Sequence, residues 1–286
     1  MHDFDTLWNY NQPEDTAQKF QTLLSKAVPG TEYHLELLTQ IARTHSLRRN
    51  FAKAHEVLDQ VELQLTEKTP VAHTRYLLER GRTHNSEGDR ETSQTQFLLA
   101  WDLATEIQAD FYAVDAAHML AIASPTPQKQ HDWNLKAINH AEQSSDTRAR
   151  GWLGSLLNNT GWTYFDEGHY PAALEMFQKA LKFREQQGEP EPIRIAKWCI
   201  ARVYRATHRI DEAYEIQKSL EAEYDMLKDT EPGYTYEEIG ELLLIKGERE
   251  NSKSYFSKAY TTLSKDRWLV ANEPERLERL KTLSEN

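Results

Sequence analysis

The stretch RYLLERGRTHNS, residues 75–86, sets Arg75, Glu79 and Arg82 on one helical stripe through steps of four and three, with Asn85 one turn further. Guanidinium forks in such a row can grip carboxylates, and an amide can both donate to and accept from a peptide backbone. The same stripe is open to a plainer reading, as intrahelical ion pairs worth about 0.2–0.5 kcal/mol each. Asp115 and His118 stand at i and i+3, where acid–base work and a structural hydrogen bond are both within reach.

Other chemistry finds no support in the residues. There is no Gly-rich phosphate loop, no GxSxG turn and no HExxH pair. The histidines never recur at three or four residues. His34 and His45, like His73 and His84, are separated by roughly 16 Å of helix. We therefore expect no metal, no cofactor and no catalytic residue. Cys199, between Trp198 and Ile200, reads as a small apolar filler rather than a nucleophile.

Such a stripe needs a scaffold, and composition restricts its kind. Of 286 residues, 39% are hydrophobic and 28% charged, which is polar for a globule of this size. Seven Trp and thirteen Tyr argue against disorder, so an extended helical protein is expected. The net charge of -11 disfavours nucleic acid and anionic membrane surfaces as partners. No apolar run is long enough to span a bilayer, and MHDFDTLWNY does not resemble an export signal. A single cysteine suits a reducing compartment, hence a cytoplasmic expectation.

The scaffold shows as an internal frame. Leu157, Gly161, Tyr164, Ala173, Phe177 and Ala180 recur as Leu77, Gly81, His84, Ser93, Phe97 and Ala100, and again as Tyr236, Gly240, Leu243, Ser252, Phe256 and Ala259. Weaker copies hold Leu38, Ala42, His45, Ala54 and Leu58, then Ala201, Tyr204 and Ala213, with one further unit around Ala117, Leu120 and Ala137. Within each half the apolar steps are three and four, the mark of a one-faced helix. Gly88, Gly168 and Gly247 fall where a first helix must end. The unit is thus a helical hairpin that buries its apolar face only by stacking on its neighbours.

This frame resembles the tetratricopeptide repeat family over residues 31–265, most strongly at 154–187. His45 and His84 stand where Tyr is usual, Arg80 takes an apolar slot, and Gln217 replaces an aromatic residue. The resemblance implies an all-α, right-handed α-solenoid of about six hairpins. We expect one domain over residues 1–286, with capping helices at 1–30 and 266–286 around repeats at 31–265. The N-terminal cap is NQPEDTAQKFQTLLSKA and the C-terminal cap EPERLERLKTLSEN.

The resemblance further implies that the faces of the first helices turned away from the frame residues line a concave groove. These are Gln40 and Arg43; Arg75, Glu79, Arg82 and Asn85; Asp115 and His118; Asn158, Asn159 and Trp162; and Trp198, Arg202 and Arg205. Paired Asn158 and Asn159 are similar to the Asn-rich helices of kinesin-light-chain-type repeats. Glu237, Glu238 and Glu241 offer a seat for a basic ligand end or a solubilising surface. The expected function is a non-catalytic scaffold or adaptor, monomeric or weakly self-associating. It would hold a peptide or protein segment that carries acidic or carboxylate groups. The alternatives are a sensor closing on a small signalling peptide or anionic metabolite, and an enzyme built on Asp115, His118, Glu79 and Arg82.

Overall fold

The computed structural model describes residues 2–227 and 232–285, and among these the regular elements are all helical. The chain divides into two compact units, one ending at Leu156 and the other starting at Leu157. The first holds a short 3-10 helix Asp3–Leu7, then α1 Pro13–Leu24, α2 Glu32–Leu47, α3 Phe51–Glu62, α4 Pro70–Glu87, α5 Arg90–Glu106, α6 Asp110–Ala123, α7 Pro127–Gln143 and α8 Thr147–Gly151. The boundary falls inside α9, Leu153–Asp166. The second unit continues with α10 Tyr170–Gln187, α11 Pro190–Ala206, α12 Ile210–Asp225, α13 Gly233–Ile245, α14 Arg249–Leu263, α15 Arg267–Asn272 and α16 Pro274–Glu285.

Each unit is a stack of antiparallel hairpins: α2/α3, α4/α5 and α6/α7 in the first, α9/α10, α11/α12 and α13/α14 in the second. Starts follow the expected chemistry. Pro13, Pro70, Pro127 and Pro190 open their helices, where a missing N–H costs nothing. The Thr31 hydroxyl and the Asp89 carboxylate accept from the free amides of α2 and α5. Gly88, Gly168 and Gly247 turn the strong repeats with φ of 94°, 77° and 81°. In two degenerate repeats Arg49 and His208 take the same left-handed place at φ 59°, which an L side chain adopts only at some strain.

The frame's small and large residues are complementary surfaces. A Cβ on Gly81 would lie 2.5 Å from the Phe97 ring, one on Gly161 2.5 Å from Phe177, and one on Gly240 2.9 Å from Phe256. All three phenylalanines are fully buried. Gln217, in the aromatic slot, is also fully buried, and neither polar atom of its amide has a hydrogen-bond partner. Arg80 keeps its apolar slot by stacking over Tyr76 at 5.3 Å while its fork reaches Asp59 and the His55 ring.

The N-terminal region differs from the expected cap. Pro13 does open α1 and Phe20 is buried, but the segment before it adds a second element. Residues 2–10 lie against α2 and α4, with Phe4 fully buried beside Phe20 and Tyr33. The C-terminal region is two helices instead of one. In α16, Leu277 and Leu280 close a core with Phe256, Ala259 and Leu263.

Candidate functional site

In the first unit α2, α4 and α6 lie side by side. Seven of the residues expected in the groove, Gln40, Arg43, Arg75, Glu79, Arg82, Asp115 and His118, line one cavity of about 460 Å³. Trp8, Tyr10, Phe111, Tyr112 and Trp152 supply aromatic walls, and Asp5 and Arg148 complete its charges. In the second unit Trp162, Trp198, Arg202 and Arg205 line a pocket of about 690 Å³ with Glu237, Glu238 and Glu241 and with Arg276 and Arg279 from α16. Asn85, Asn158 and Asn159 line neither. Asn158 instead accepts from the Cys199 thiol at 3.4 Å, and Asn159 is exposed.

The cavity's charges are mostly committed to one another. Arg82 Nη1 donates to Glu79 Oε1 at 2.7 Å and Nη2 to Asp115 Oδ2 at 2.5 Å, so the expected i,i+3 pair exists but is buried and bridges to the next hairpin. Burial works against the Arg82 charge, yet Asp115 and Glu79 outweigh it and raise its pKa. Arg75 does not pair with Glu79 at all. Its Nη2 donates to Asp5 at 2.7 Å, and its Nη1 donates to Glu36 at 3.1 Å and to the Tyr112 hydroxyl at 3.1 Å. Burial pushes the Tyr112 hydroxyl up to about 12, with Arg75 opposing the rise and Glu36 and Asp5 adding to it. Desolvation would raise Asp5, but the Arg75 hydrogen bond prevails and lowers it. These forks are therefore occupied by the protein's own carboxylates. A charge this deeply buried is stable only when paired.

Arg43 is different. Its nearest carboxylate oxygen, Glu79 Oε2, is 3.7 Å from Nε, beyond hydrogen-bond reach, and Oε2 itself is buried without a hydrogen-bond partner. Burial lowers the Arg43 pKa, Glu79 opposes this, and Arg82 adds to it. The His118 Nδ1 is likewise buried and unpartnered, its ring 5.3 Å from Trp152. Burial holds its pKa below the ordinary value. Asp115 faces Arg82 rather than His118, so the two do not form the proton-sharing pair their spacing permits.

The second pocket is a ladder of ion pairs. Arg202 Nη1 donates to Glu238 at 2.7 Å and Arg205 binds the same carboxylate through two nitrogens at 2.8 and 3.1 Å. Arg276 grips Glu237 at 3.0 and 2.6 Å, and Arg279 pairs with Glu241. The acidic row that could have received a basic ligand end is thus occupied by the protein's own arginines. Burial pushes Glu238 from the ordinary 4.5 up to about 7, with Arg202 limiting the rise. Its proton is retained longer in the folded chain than in the unfolded one. The resulting stability is full below pH 4.5 and lost as pH rises through about 7. We predict that Glu238→Gln flattens the decline in melting temperature between pH 5 and pH 8. An unchanged slope would show that the two guanidiniums keep the carboxylate ionised throughout.

One cluster was invisible to a search along single helices. His55 from α3, with His84 and Glu87 from α4, brings its possible ligand atoms within 4.8 Å of one another. Arg80, a pure donor, sits 2.7 Å from His55 Nδ1, so that nitrogen accepts and Nε2 carries the proton toward Glu87 at 2.9 Å. The nitrogen that would face a metal is protonated, and a guanidinium stands behind the ring. The His55–Glu87 hydrogen bond, extended by Arg80 behind the ring, leaves the cluster poorly suited to a cation.

Asp5, Trp8, Tyr10, Arg148 and Trp152 were not identified from the sequence as site residues, and neither were Arg276 and Arg279. The repeat frame carries no information on residues outside it. The leucine steps of α16 did mark which face packs, and Arg276 and Arg279 flank them.

Residues 153–186 match the tetratricopeptide repeat family. No curated protein sequence matches the chain. Among solved structures, the apo form of RapI is similar with a TM-score of 0.73 and 13% identity, over 90% of this chain and 73% of that one. A Podosopora anserina protein with nearly identical kinesin-light-chain TPR-like repeats gives 0.53 and 14%, over 67% and 94%. NprR in complex with its cognate peptide NprX gives 0.52 and 16%, over 98% and 81%. The fold is an all-α solenoid of tetratricopeptide type. Among the described residues no helix is long and apolar enough to cross a membrane.

Proposed function

We propose that the chain is a non-catalytic peptide-binding protein whose ligand enters the cavity of the first unit. The observation that carries this reading is the Arg43 fork, held only by a loose 3.7 Å ion pair to Glu79, in an aromatic-walled hollow where Arg75, Arg82 and Arg148 each donate a hydrogen bond to a carboxylate. A ligand carboxylate on Arg43 would gain two charge-assisted bonds. The unpartnered Glu79 Oε2 and His118 Nδ1 remain to meet peptide N–H groups, His118 being neutral. Trp8, Tyr10 and Trp152 offer apolar walls at low entropic cost. The similarity to NprR, solved with its cognate peptide, supports the same reading. Burial pushes the Cys199 thiol up to about 12, which ill suits that side chain to nucleophilic attack. The single cysteine fits a reducing, cytoplasmic setting.

The test is selection of peptides from a random display library on the immobilised full chain, followed by titration of the best binder. Arg43→Gln is expected to weaken binding by about 10- to 100-fold, the range of a charge-assisted hydrogen bond, with the melting temperature unchanged. Affinity untouched by both Arg43→Gln and Trp152→Ala would place the ligand elsewhere. Small-angle scattering of the same complex separates the two modes of action. A scaffold keeps its radius of gyration on binding, whereas a sensor that closes on its ligand becomes more compact.

A further inference from the structure

Residues 2–10, HDFDTLWNY, contact α2 and α4 as a bound peptide would. The segment's hydrogen bonds to these helices run through side chains: His2 to Glu36 at 2.8 Å, the Tyr33 hydroxyl to Asp3 at 2.9 Å, Arg75 to Asp5 at 2.7 Å and Trp8 Nε1 to Gln40 at 3.1 Å. Tyr33 stands in the first turn of α2, whereas Glu36, Gln40 and Arg75 lie further inside their helices, and Gln40 and Arg75 belong to the row expected to meet a ligand. Phe4 is the apolar anchor, fully buried with the Arg75 guanidinium 5.0 Å over its ring. Backbone hydrogen bonds of the segment stay within residues 2–16 among the described residues, so no helix depends on it for its own ladder.

The Asp5 contact is also built to be exchangeable. Asp5 holds only Nη2 of Arg75, while Glu36 and the Tyr112 hydroxyl hold Nη1. If Asp5 leaves, Arg75 keeps a carboxylate partner and no buried charge is stranded. We propose that residues 2–10 are an intramolecular ligand of the first unit, and that an acidic–aromatic peptide segment from another chain can take their place. The incoming segment would set a carboxylate on Arg75 Nη2 and an aromatic ring in the Phe4 slot. This deepens, and rests on, the peptide-binding reading above, since Trp8 and Tyr10 form one wall of that cavity. A tethered segment competes at an effective concentration on the order of millimolar, so the resident peptide sets a threshold that a partner must exceed.

The probe is a fluorescein-labelled peptide of the same sequence, N-acetylated HDFDTLWNY amide, titrated into the full chain. Asp5→Asn in the protein is expected to tighten probe binding at least tenfold over the unsubstituted chain, because the competitor is weakened. A probe with asparagine at its fourth position is expected to lose at least tenfold on the same variant. Equal binding of the probe to both proteins, or of both probes to the variant, would overturn the proposal. Hydrogen–deuterium exchange on the unsubstituted chain avoids any folding defect in the variant. Millimolar probe is expected to accelerate exchange in residues 2–10 while leaving α2 and α4 protected, and no acceleration would overturn the proposal. If library-selected peptides remain sensitive to Arg43→Gln while the probe does nothing, this inference fails and the cavity reading stands. If neither binds, both fail.

Discussion

Arg82→Met is expected to destabilise the first unit by about 3–5 kcal/mol, the cost of removing one partner from a buried ion-pair network. Methionine fills similar volume, so the loss is electrostatic rather than a packing defect. Two carboxylates remain, Glu79 and Asp115, each less than a tenth exposed and without the fork that neutralised them. At roughly 2–4 °C per kcal/mol for a body of this size, the melting temperature drops by about 10 °C. Adding Glu79→Gln and Asp115→Leu removes the stranded charges and should restore most of the loss, as coupled groups do in a mutant cycle. A single substitution costing under about 1 kcal/mol would mean that water reaches the site and screens it. This network joins α4 to α6, so the cavity's shape depends on it, and Arg82 is unsuitable as a probe of ligand contact.

The second large effect concerns the frame's rings. Phe177→Ala is expected to cost about 3–5 kcal/mol through lost burial and the cavity left behind. The ring is fully buried and covers Gly161, with Trp162 at 5.3 Å between centroids. The reciprocal change is smaller but more diagnostic. Gly161→Ala would gain up to about 1 kcal/mol of helix propensity, yet its methyl would fall 2.5 Å from the ring. Overpacking of this kind costs about 1–3 kcal/mol, so the sign should be destabilising. Gly161→Ala with Phe177→Leu should recover part of both losses, as calorimetry or thermal melts would show. A stabilising Gly161→Ala would mean that the helices separate easily and that the glycine is not required for close approach.

The fold was legible because its signals are local and repeated. Gly161 and Phe177 are sixteen residues apart, and the same offset recurs at Gly81 and Phe97 and at Gly240 and Phe256. Repetition turns a weak pattern into a strong one. The site was legible only as a row of positions. Helical periodicity brought Gln40, Arg43, Arg75, Glu79, Arg82, Asp115 and His118 to one surface, but it did not show what their polar atoms face. Arg75 was expected to meet a ligand carboxylate and instead meets Asp5, seventy residues away along the chain. Arg202 and Arg205 were expected to line a groove that receives a ligand, and Glu238 from the next hairpin holds both. Asn158 was expected beside a peptide and instead receives the Cys199 thiol.

The division follows from the range of the interactions. Apolar steps of three and four, glycine stops and small–large complementarity act within one hairpin, so the amino-acid order alone determined the repeat hairpins and the face each buries, but not the elements at the two ends. Ion-pair choice is made between hairpins, where several carboxylates compete for each guanidinium and burial penalises any left unpaired. Only the packed tertiary structure could decide that Arg43 keeps no more than a loose ion pair to Glu79 while Arg75, Arg82, Arg202 and Arg205 hydrogen-bond to carboxylates. It also placed HDFDTLWNY, which carries no repeat signal, against the row of side chains that periodicity had marked out.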